Sequence, residues 1–368
     1  MVQAAAVSTG PVDGVPNGRL TRRRVWFVLR LVLLAALAYF AVEVVLANSA
    51  ELSGATDYLD RAHWDWIAAA FAAETVSYAA FMQLQRRLLL AGKVRTRMLP
   101  MSAITLAGNA MNTSLPGGGA FATVFAYRQF RRRGADEALS TWTLVAVTAL
   151  TALTLALLAV VGLWVAGSDG PVTGLWPLIP LLLVFPIAGV IILLRPRILA
   201  LTATPPLRWL RRLTGRPRVD PAPVVQRLVA RLGAVTPGRG DWVAGFGWAL
   251  SNWLTDLLCL ILAFQAVGAD VPWRGLLVAY AAAQVAANLP ITPGGLGVVE
   301  GSLTIALVAY GGSTASTVAG VLLYRILSFW LPLPLGWAAW VGLRVEARRH
   351  PMPERGIVAE VEAEEGLT

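Results

Sequence analysis

Very little in this sequence would serve a soluble enzyme. Its single cysteine, Cys259, lies inside an apolar run, so neither a disulfide nor a cysteine-based metal site is available. The two histidines, His63 and His350, stand far apart at the edges of apolar segments, which argues against a histidine-centred catalytic site. Charge is scarce too. Only 14% of the 368 residues are charged and 57% are hydrophobic, where a soluble domain is about a quarter charged and half apolar. There is no P-loop, GxSxG or HExxH, and the "GGGAF" stretch follows no strand, so it is not a dinucleotide fingerprint. The longest polar stretch, residues 195–241, is too short to fold a catalytic domain. No catalytic activity, cofactor or metal is expected.

What remains is apolar sequence punctuated by arginine. The net charge of +10 would suit nucleic acid, but the basic residues sit in short clusters beside apolar runs, as cytoplasmic loops of membrane proteins do. Nucleic acid is therefore not an expected partner. A hydrocarbon core needs about 20 apolar residues per helix, and loops rich in Arg and Lys stay inside. Arg19, Arg22, Arg23 and Arg24 place residues 1–24 in the cytoplasm. Val25 to Leu46 is a first span, read as uncleaved because it is long for a signal core, with a cleaved signal peptide as the alternative. The next loop carries Glu51, Asp57, Asp60 and Asp65 and lies outside. Trp64 to Leu84 returns to Arg86, Arg87, Lys93, Arg95 and Arg97 inside.

Met98 to Phe130 is flanked by basic residues at both ends and interrupted by "NTSLPGGGA", which predicts a re-entrant hairpin and not a span. Spans follow at about Glu137 to Ala166 and Leu175 to Leu194. A linker from Arg195 to Arg239 then carries ten arginines against one acid, Asp220. Within it, "VVQRLVARL" puts Val224, Val225, Leu228, Val229 and Leu232 on one face. Two readings fit: an amphipathic helix on anionic inner-leaflet lipid, or a solvated linker helix. Trp242 to Val267 is a further span. Leu276 to Tyr310, broken by "LPITPGGLGVVEGSL" and poor in basic flanks, predicts a second hairpin entering from outside. Thr317 to Leu343 is the last span, expected to be bent by Pro332 and Pro334 and to end at Arg344, Arg348 and Arg349 inside. The acidic tail, residues 344–368, is expected to be cytoplasmic and disordered. Trp64, Trp66, Trp176 and Trp273 fall at expected outer boundaries, where indole rings favour the interface.

The expected fold is an all-α polytopic integral protein of the plasma membrane. It has about six spanning helices and two opposed re-entrant helical hairpins, with both termini cytoplasmic. If each hairpin arm spans fully, the count rises to eight or more. "NTSLPGGGAFATVFAY" (Asn112 to Tyr127) and "NLPITPGGLGVVEGSLTIALVAY" (Asn288 to Tyr310) share an Asn four or five residues before Pro-Gly-Gly, then an apolar arm ending in Ala-Tyr. Span, hairpin, span therefore occurs twice, over Trp64–Ala166 and Trp242–Leu343, with opposite orientation. Inverted repeats with interrupted helices point to a midplane substrate site in transporters.

The candidate site residues follow. Pro116, Gly117 and Gly118, with Asn112, form one break; Pro293, Gly294 and Gly295, with Asn288, form the other. Leu296 onward is expected to begin the next half-helix, whose start would present free N–H groups to an anion such as a phosphate head group. Glu300 stands in that first turn, either as a dipole-stabilising acid or as a group needing a partner, because a charge at the bilayer centre costs about 2.5–3.5 kcal/mol. Arg325, in the last span, has the opposite sign. A Glu300–Arg325 pair either cements two helices or lines a track for a zwitterionic or anionic head group. Asp256, one turn beyond Asn252 in the Trp242–Val267 span, is a further candidate; Arg128 and Glu74 are weaker ones.

At these residues the chain resembles the lysylphosphatidylglycerol synthase transmembrane-domain family, the flippase-like membrane half of MprF-type proteins and their stand-alone relatives. "LPITPGGLGVVEGSL" and "YRILSFWLPLPLG" carry the resemblance most specifically, and "NTSLPGGG" with Arg128 beyond it more loosely. Many relatives have an acid after those first glycines, where this chain has Ala120 and Phe121. The resemblance implies translocation of a phospholipid or lipid-linked head group, with Glu300 and Arg325 as site residues and without the aminoacyl transferase domain of the full-length members. The alternative is an accessory membrane subunit docking a glycosyltransferase or other lipid-modifying enzyme through the 195–239 linker. A homo-oligomer is compatible with either.

Overall fold

The computed structural model describes residues 58–115, 117–167, 179–195, 237–288 and 292–349, with isolated positions between 229 and 235. Residues 1–57, Pro116, Trp176, most of the linker with its amphipathic stretch, Leu289–Ile291 and the tail from His350 lie outside those residues. Every described element is helical. In chain order they are α1 (Trp64–Ala91), α2 (Met98–Ser114), α3 (Gly118–Arg132), α4 (Glu137–Ala166), α5 (Ile179–Leu194), α6 (Arg239–Ala266), α7 (Trp273–Ala287), α8 (Val298–Ala309), α9 (Thr314–Arg325) and α10 (Pro332–Arg349).

Length sorts these helices into two kinds. Four continuous runs are long and apolar enough to cross a membrane: α1, α4, α6 and the Thr314–Arg349 run of α9 and α10. With 28 residues or more at a rise of about 1.5 Å each, they exceed a hydrocarbon core of about 30 Å. The arms flanking the two breaks are shorter. α2 and α3 have 17 and 15 residues, and α7 and α8 have 15 and 12, or roughly 18–26 Å. Of the six expected spans, α5 is described over 16 residues, and Val25–Leu46 lies outside the described residues.

The last span is irregular in the turn before its first proline. Between α9 and α10, residues Ile326–Trp330 form a wide π turn, in which the Leu331 N–H bonds the Ile326 carbonyl at 2.9 Å. A proline has no N–H and its ring crowds the carbonyl four residues back, so Pro332 loosens the turn before it. That carbonyl belongs to Ser328, and the Tyr78 hydroxyl of α1 donates to it at 3.4 Å.

The packing has a repeating logic. α1 and α6 run antiparallel along their whole length. His63 N–H bonds the Ala266 carbonyl at 2.8 Å at one end, and Arg87 pairs with Asp241 at 2.9 Å at the other. They cross at Ser77 and Asn252, where the Asn252 amide donates to Ser77 Oγ at 2.8 Å and Ser77 Oγ donates to the Asn252 carbonyl at 3.0 Å. Around this pair, α2 packs on α10 while α7 packs on α4; α2 pairs with α3 while α7 pairs with α8. The second helix of each half therefore lies against the closing segment of the other half. Glycines permit both of these contacts. A Cβ on Gly336 of α10 would collide with the Leu106 carbonyl of α2, and one on Gly162 of α4 would come 2.8 Å from the Val278 nitrogen of α7.

The two ends of the bundle differ in chemistry. Arg87, Arg133 and the Arg344–Arg349 cluster gather at one end, where Arg133 reaches Glu346 at 3.6 Å. Exposed Trp64, Trp66 and Trp273 mark the opposite end, where α1 begins beside the close of α6. Between them the outer surface carries exposed apolar side chains, among them Phe71, Val76, Val161 and Ile305. Water would not tolerate such a surface, whereas lipid tails would.

Gly336→Ala should overpack the α2–α10 contact and cost about 1–3 kcal/mol, lowering the apparent melting temperature of the detergent-solubilised protein. Gly247→Ala, at an exposed α6 position with open space for a Cβ, should leave it nearly unchanged. Equal melting temperatures for the two variants would refute the close approach.

Candidate functional site

Each half of the bundle is broken at its glycines. At the first break Gly117 adopts a left-handed conformation, φ 67° and ψ 27°, and caps the start of α3. A Cβ on Gly118 would collide with the carbonyls of Met111 and Asn112, so only glycine lets α3 fold back so tightly on α2. At the second break α7 stops at Ala287 with Asn288 as its cap, Pro293–Gly295 form one tight turn, and α8 begins after Gly297. This interruption is longer than expected, because the new helix starts at Val298 and not at Leu296. Gly294 sits at φ 62°, and a Cβ there would lie 2.5 Å from the Thr113 carbonyl at the end of α2. The Pro293–Gly295 turn thus rests against the last turn of α2 before the first break.

Arg325, only 7% exposed, closes this junction from the end of α9. Its Nε donates to Glu300 Oε1 at 2.7 Å, its Nη2 donates to the Gly294 carbonyl at 3.2 Å, and its guanidinium lies 4.3 Å from the Phe329 ring centroid. The other Glu300 oxygen, Oε2, accepts the Gly297 N–H at 2.7 Å. One carboxylate therefore caps α8 and holds Arg325. The start of α8, where an anion was expected to bind, already carries the Glu300 carboxylate. Arg325 has five N–H donors, of which these two bonds account for two.

A second polar cluster lies behind Arg325. Asp256 of α6 accepts hydrogen bonds from Tyr280 and Gln284 of α7, the latter at 2.8 Å, and from Tyr324 of α9 at 3.0 Å. Glu74 of α1, 6% exposed, faces the Asp256 carboxyl and the Cys259 thiol. Nearby, the Asn109 amide of α2 donates to the Tyr78 hydroxyl at 2.7 Å. Tyr324 and Arg325 are neighbours in sequence, so the two clusters meet at the end of α9.

The remaining candidates are more peripheral. Asn112 is exposed, with its carbonyl turned over Gly118. Asn288 is exposed and donates to the Gln284 carbonyl at 2.8 Å. Arg128 is exposed on α3, about 15 Å along that helix from Gly118, so it does not join the junction of the breaks. Pro116 lies outside the described residues. Sequence reasoning underweighted Glu74 and missed Tyr280, Gln284 and Tyr324. A signal was available: Tyr280 and Gln284 are four residues apart, hence on one helical face, in an otherwise apolar run.

Comparison with known proteins adds to this geometry. A family model described as "Lysylphosphatidylglycerol synthase TM region" matches residues 25–336. A UPF0104 membrane protein of Methanothermobacter thermautotrophicus is 36% identical over 102 residues, 27% of this chain and 29% of that protein. A UPF0104 membrane protein of Pyrococcus horikoshii is 30% identical over 84 residues, 23% of this chain and 25% of that protein. The chain thus spans about a quarter of the length of the curated relatives it matches.

The Arg325–Glu300 contact should show up as a coupling between the two side chains. A double-mutant cycle with Glu300→Gln and Arg325→Lys, read from unfolding in detergent, should yield a coupling energy of about 0.5–3 kcal/mol. Strictly additive losses would mean that the pair does not hold the break closed.

Proposed function

The chain belongs to the lysylphosphatidylglycerol synthase TM region family, and from that premise we propose that this membrane protein passes polar lipid head groups across the bilayer without catalysing a covalent reaction. The reading rests on one observation: two helix breaks abut within the bundle beside an Arg325–Glu300 ion pair whose arginine is buried. The matched region is the transmembrane part of the family, and the long helices make the chain multi-pass.

In this reading the α2–α3 and α7–α8 pairs dip into the membrane from opposite faces. Their arms are too short to cross on their own, and broken backbone is tolerated at depth only where protein or a watery cavity covers it. The end bearing Arg87, Arg133 and the Arg344–Arg349 cluster faces the cytoplasm, following the bias of short basic loops. The substrate is a phospholipid or lipid-linked head group carrying a phosphate, and Arg325 is the group that meets it. The Glu300 carboxylate holds the guanidinium while no substrate is bound, and the phosphate takes over part of its donor fork as the head group passes. A planar fork suits phosphate, since it can bond two oxygens at once.

Reconstitution tests this directly. Liposomes containing the protein and a fluorescent phospholipid should expose inner-leaflet label to an impermeant quencher faster than empty liposomes do. Loss of a charge-assisted hydrogen bond, about 1.5–3 kcal/mol, predicts that Glu300→Gln and Arg325→Ala slow translocation roughly tenfold or more. Rates unaffected by both substitutions would remove this mechanism.

A further inference from the structure

The Glu74–Asp256 cluster does something that holding a lipid phosphate does not require. Glu74 is the eleventh residue of α1, about 15 Å from the tryptophan-marked end, which is half of a hydrocarbon core of about 30 Å. The Ser77–Asn252 bonds set the register of antiparallel α1 and α6 so that Glu74 and Asp256, each about one turn away, come opposite one another across the seam; both are buried, and Glu74 Oε2 has no hydrogen-bond partner. Two carboxylates buried this close cannot both ionise without a cation or a proton beside them.

The groups packed around the pair show what is there to supply one. α6 contributes Cys259, α7 contributes Tyr280 and Gln284, α9 contributes Tyr324 and Arg325, and α1 itself contributes Tyr78 one turn on. Arg325 is the one basic group in this set, and its hydrogen bonds run to Glu300 and Gly294. Tyr280, Gln284 and Tyr324 all donate to Asp256; their bonds leave the orphaned oxygen on Glu74. A proton shared between the two carboxyls would satisfy the orphaned oxygen and remove one of the two charges.

We propose that Glu74 and Asp256 form an exchangeable proton site that couples lipid movement to the transmembrane proton gradient. Glu74 takes up the proton and shares it with Asp256; release leaves the pair with a second negative charge. Tyr324, bonded to Asp256, passes that change to its neighbour Arg325, where the head group is held. The α1–α6 crossing at Ser77 and Asn252 lies about one turn from the pair, so protonation also sets the charge at the joint between the two halves. The coupling rests on the translocation reading above; the proton site itself does not.

Infrared difference spectroscopy on the full chain in lipid nanodiscs tests the site without reference to transport. Raising the pH should remove the carbonyl band of a protonated carboxyl, and Glu74→Gln or Asp256→Asn should abolish or shift that band. A band that stays constant wherever the wild-type protein remains folded would make Glu74 a permanently neutral structural acid and overturn the site, as would one that responds to sodium in place of pH. The wild-type titration stands even if both variants fail to fold. In proteoliposomes with labelled phospholipid, an imposed pH gradient should change the wild-type translocation rate severalfold and leave the Glu74→Gln rate unchanged. A titrating band with no translocation would defeat the lipid reading and keep the site; translocation indifferent to the gradient would defeat the coupling and keep the lipid reading.

Discussion

Hydrocarbon offers no hydrogen-bonding partner, so every polar group at bilayer depth in this protein must find one inside the protein. An unbroken helix meets that requirement by itself. A broken one does not, and among the described residues the chain is interrupted at two glycine breaks and widened before Pro332. At the second glycine break and at the widened turn, side chains serve the loosened backbone. Arg325 reaches the Gly294 carbonyl, Glu300 takes the Gly297 N–H, and the Tyr78 hydroxyl reaches the Ser328 carbonyl that Pro332 displaces from its own helix. The same side chains that satisfy backbone also bring charge to the centre, so structural necessity and candidate chemistry reside in one set of atoms.

Reciprocal packing explains why these features cluster. Antiparallel α1 and α6 form the joint between halves, and the second helix of each half packs on the closing segment of the other. The tips therefore meet: the Pro293–Gly295 turn rests on the end of α2 because the packing of α2 on α10 and of α7 on α4 sets both at one depth. Small residues let the backbones approach closely enough. Gly336 and Gly162 occupy comparable places in the two halves, each against the second helix of the other. Interfaces of this kind are held by packing and interhelical hydrogen bonds, since lipid tails are as apolar as the side chains they replace.

Much of this was legible in the residues themselves. Apolar runs with few charges specify helices of membrane length, and the four longest are there. The Pro-Gly-Gly pairs specify breaks, because glycine adopts left-handed backbone freely, and Gly117 and Gly294 do so. Opposite signs at membrane depth make Glu300 and Arg325 natural partners, and they lie 2.7 Å apart. The start of α8 was misplaced because Gly295, Leu296 and Gly297 extend the turn.

The sequence by itself determined the class of the molecule, the sites of its two Pro-Gly-Gly breaks and the local likeness of the segments around them, because hydropathy, proline and glycine act locally along the chain. Tertiary structure alone decided which polar groups would meet. Glu74 and Asp256 are far apart in sequence, on helices whose antiparallel register no local pattern reveals, and Asp256 finds Tyr280, Gln284 and Tyr324 only because α7 and α9 close over α6. The burial of a carboxyl pair is a property of that packing, and the demand it makes for a proton arises only once the helices have come together.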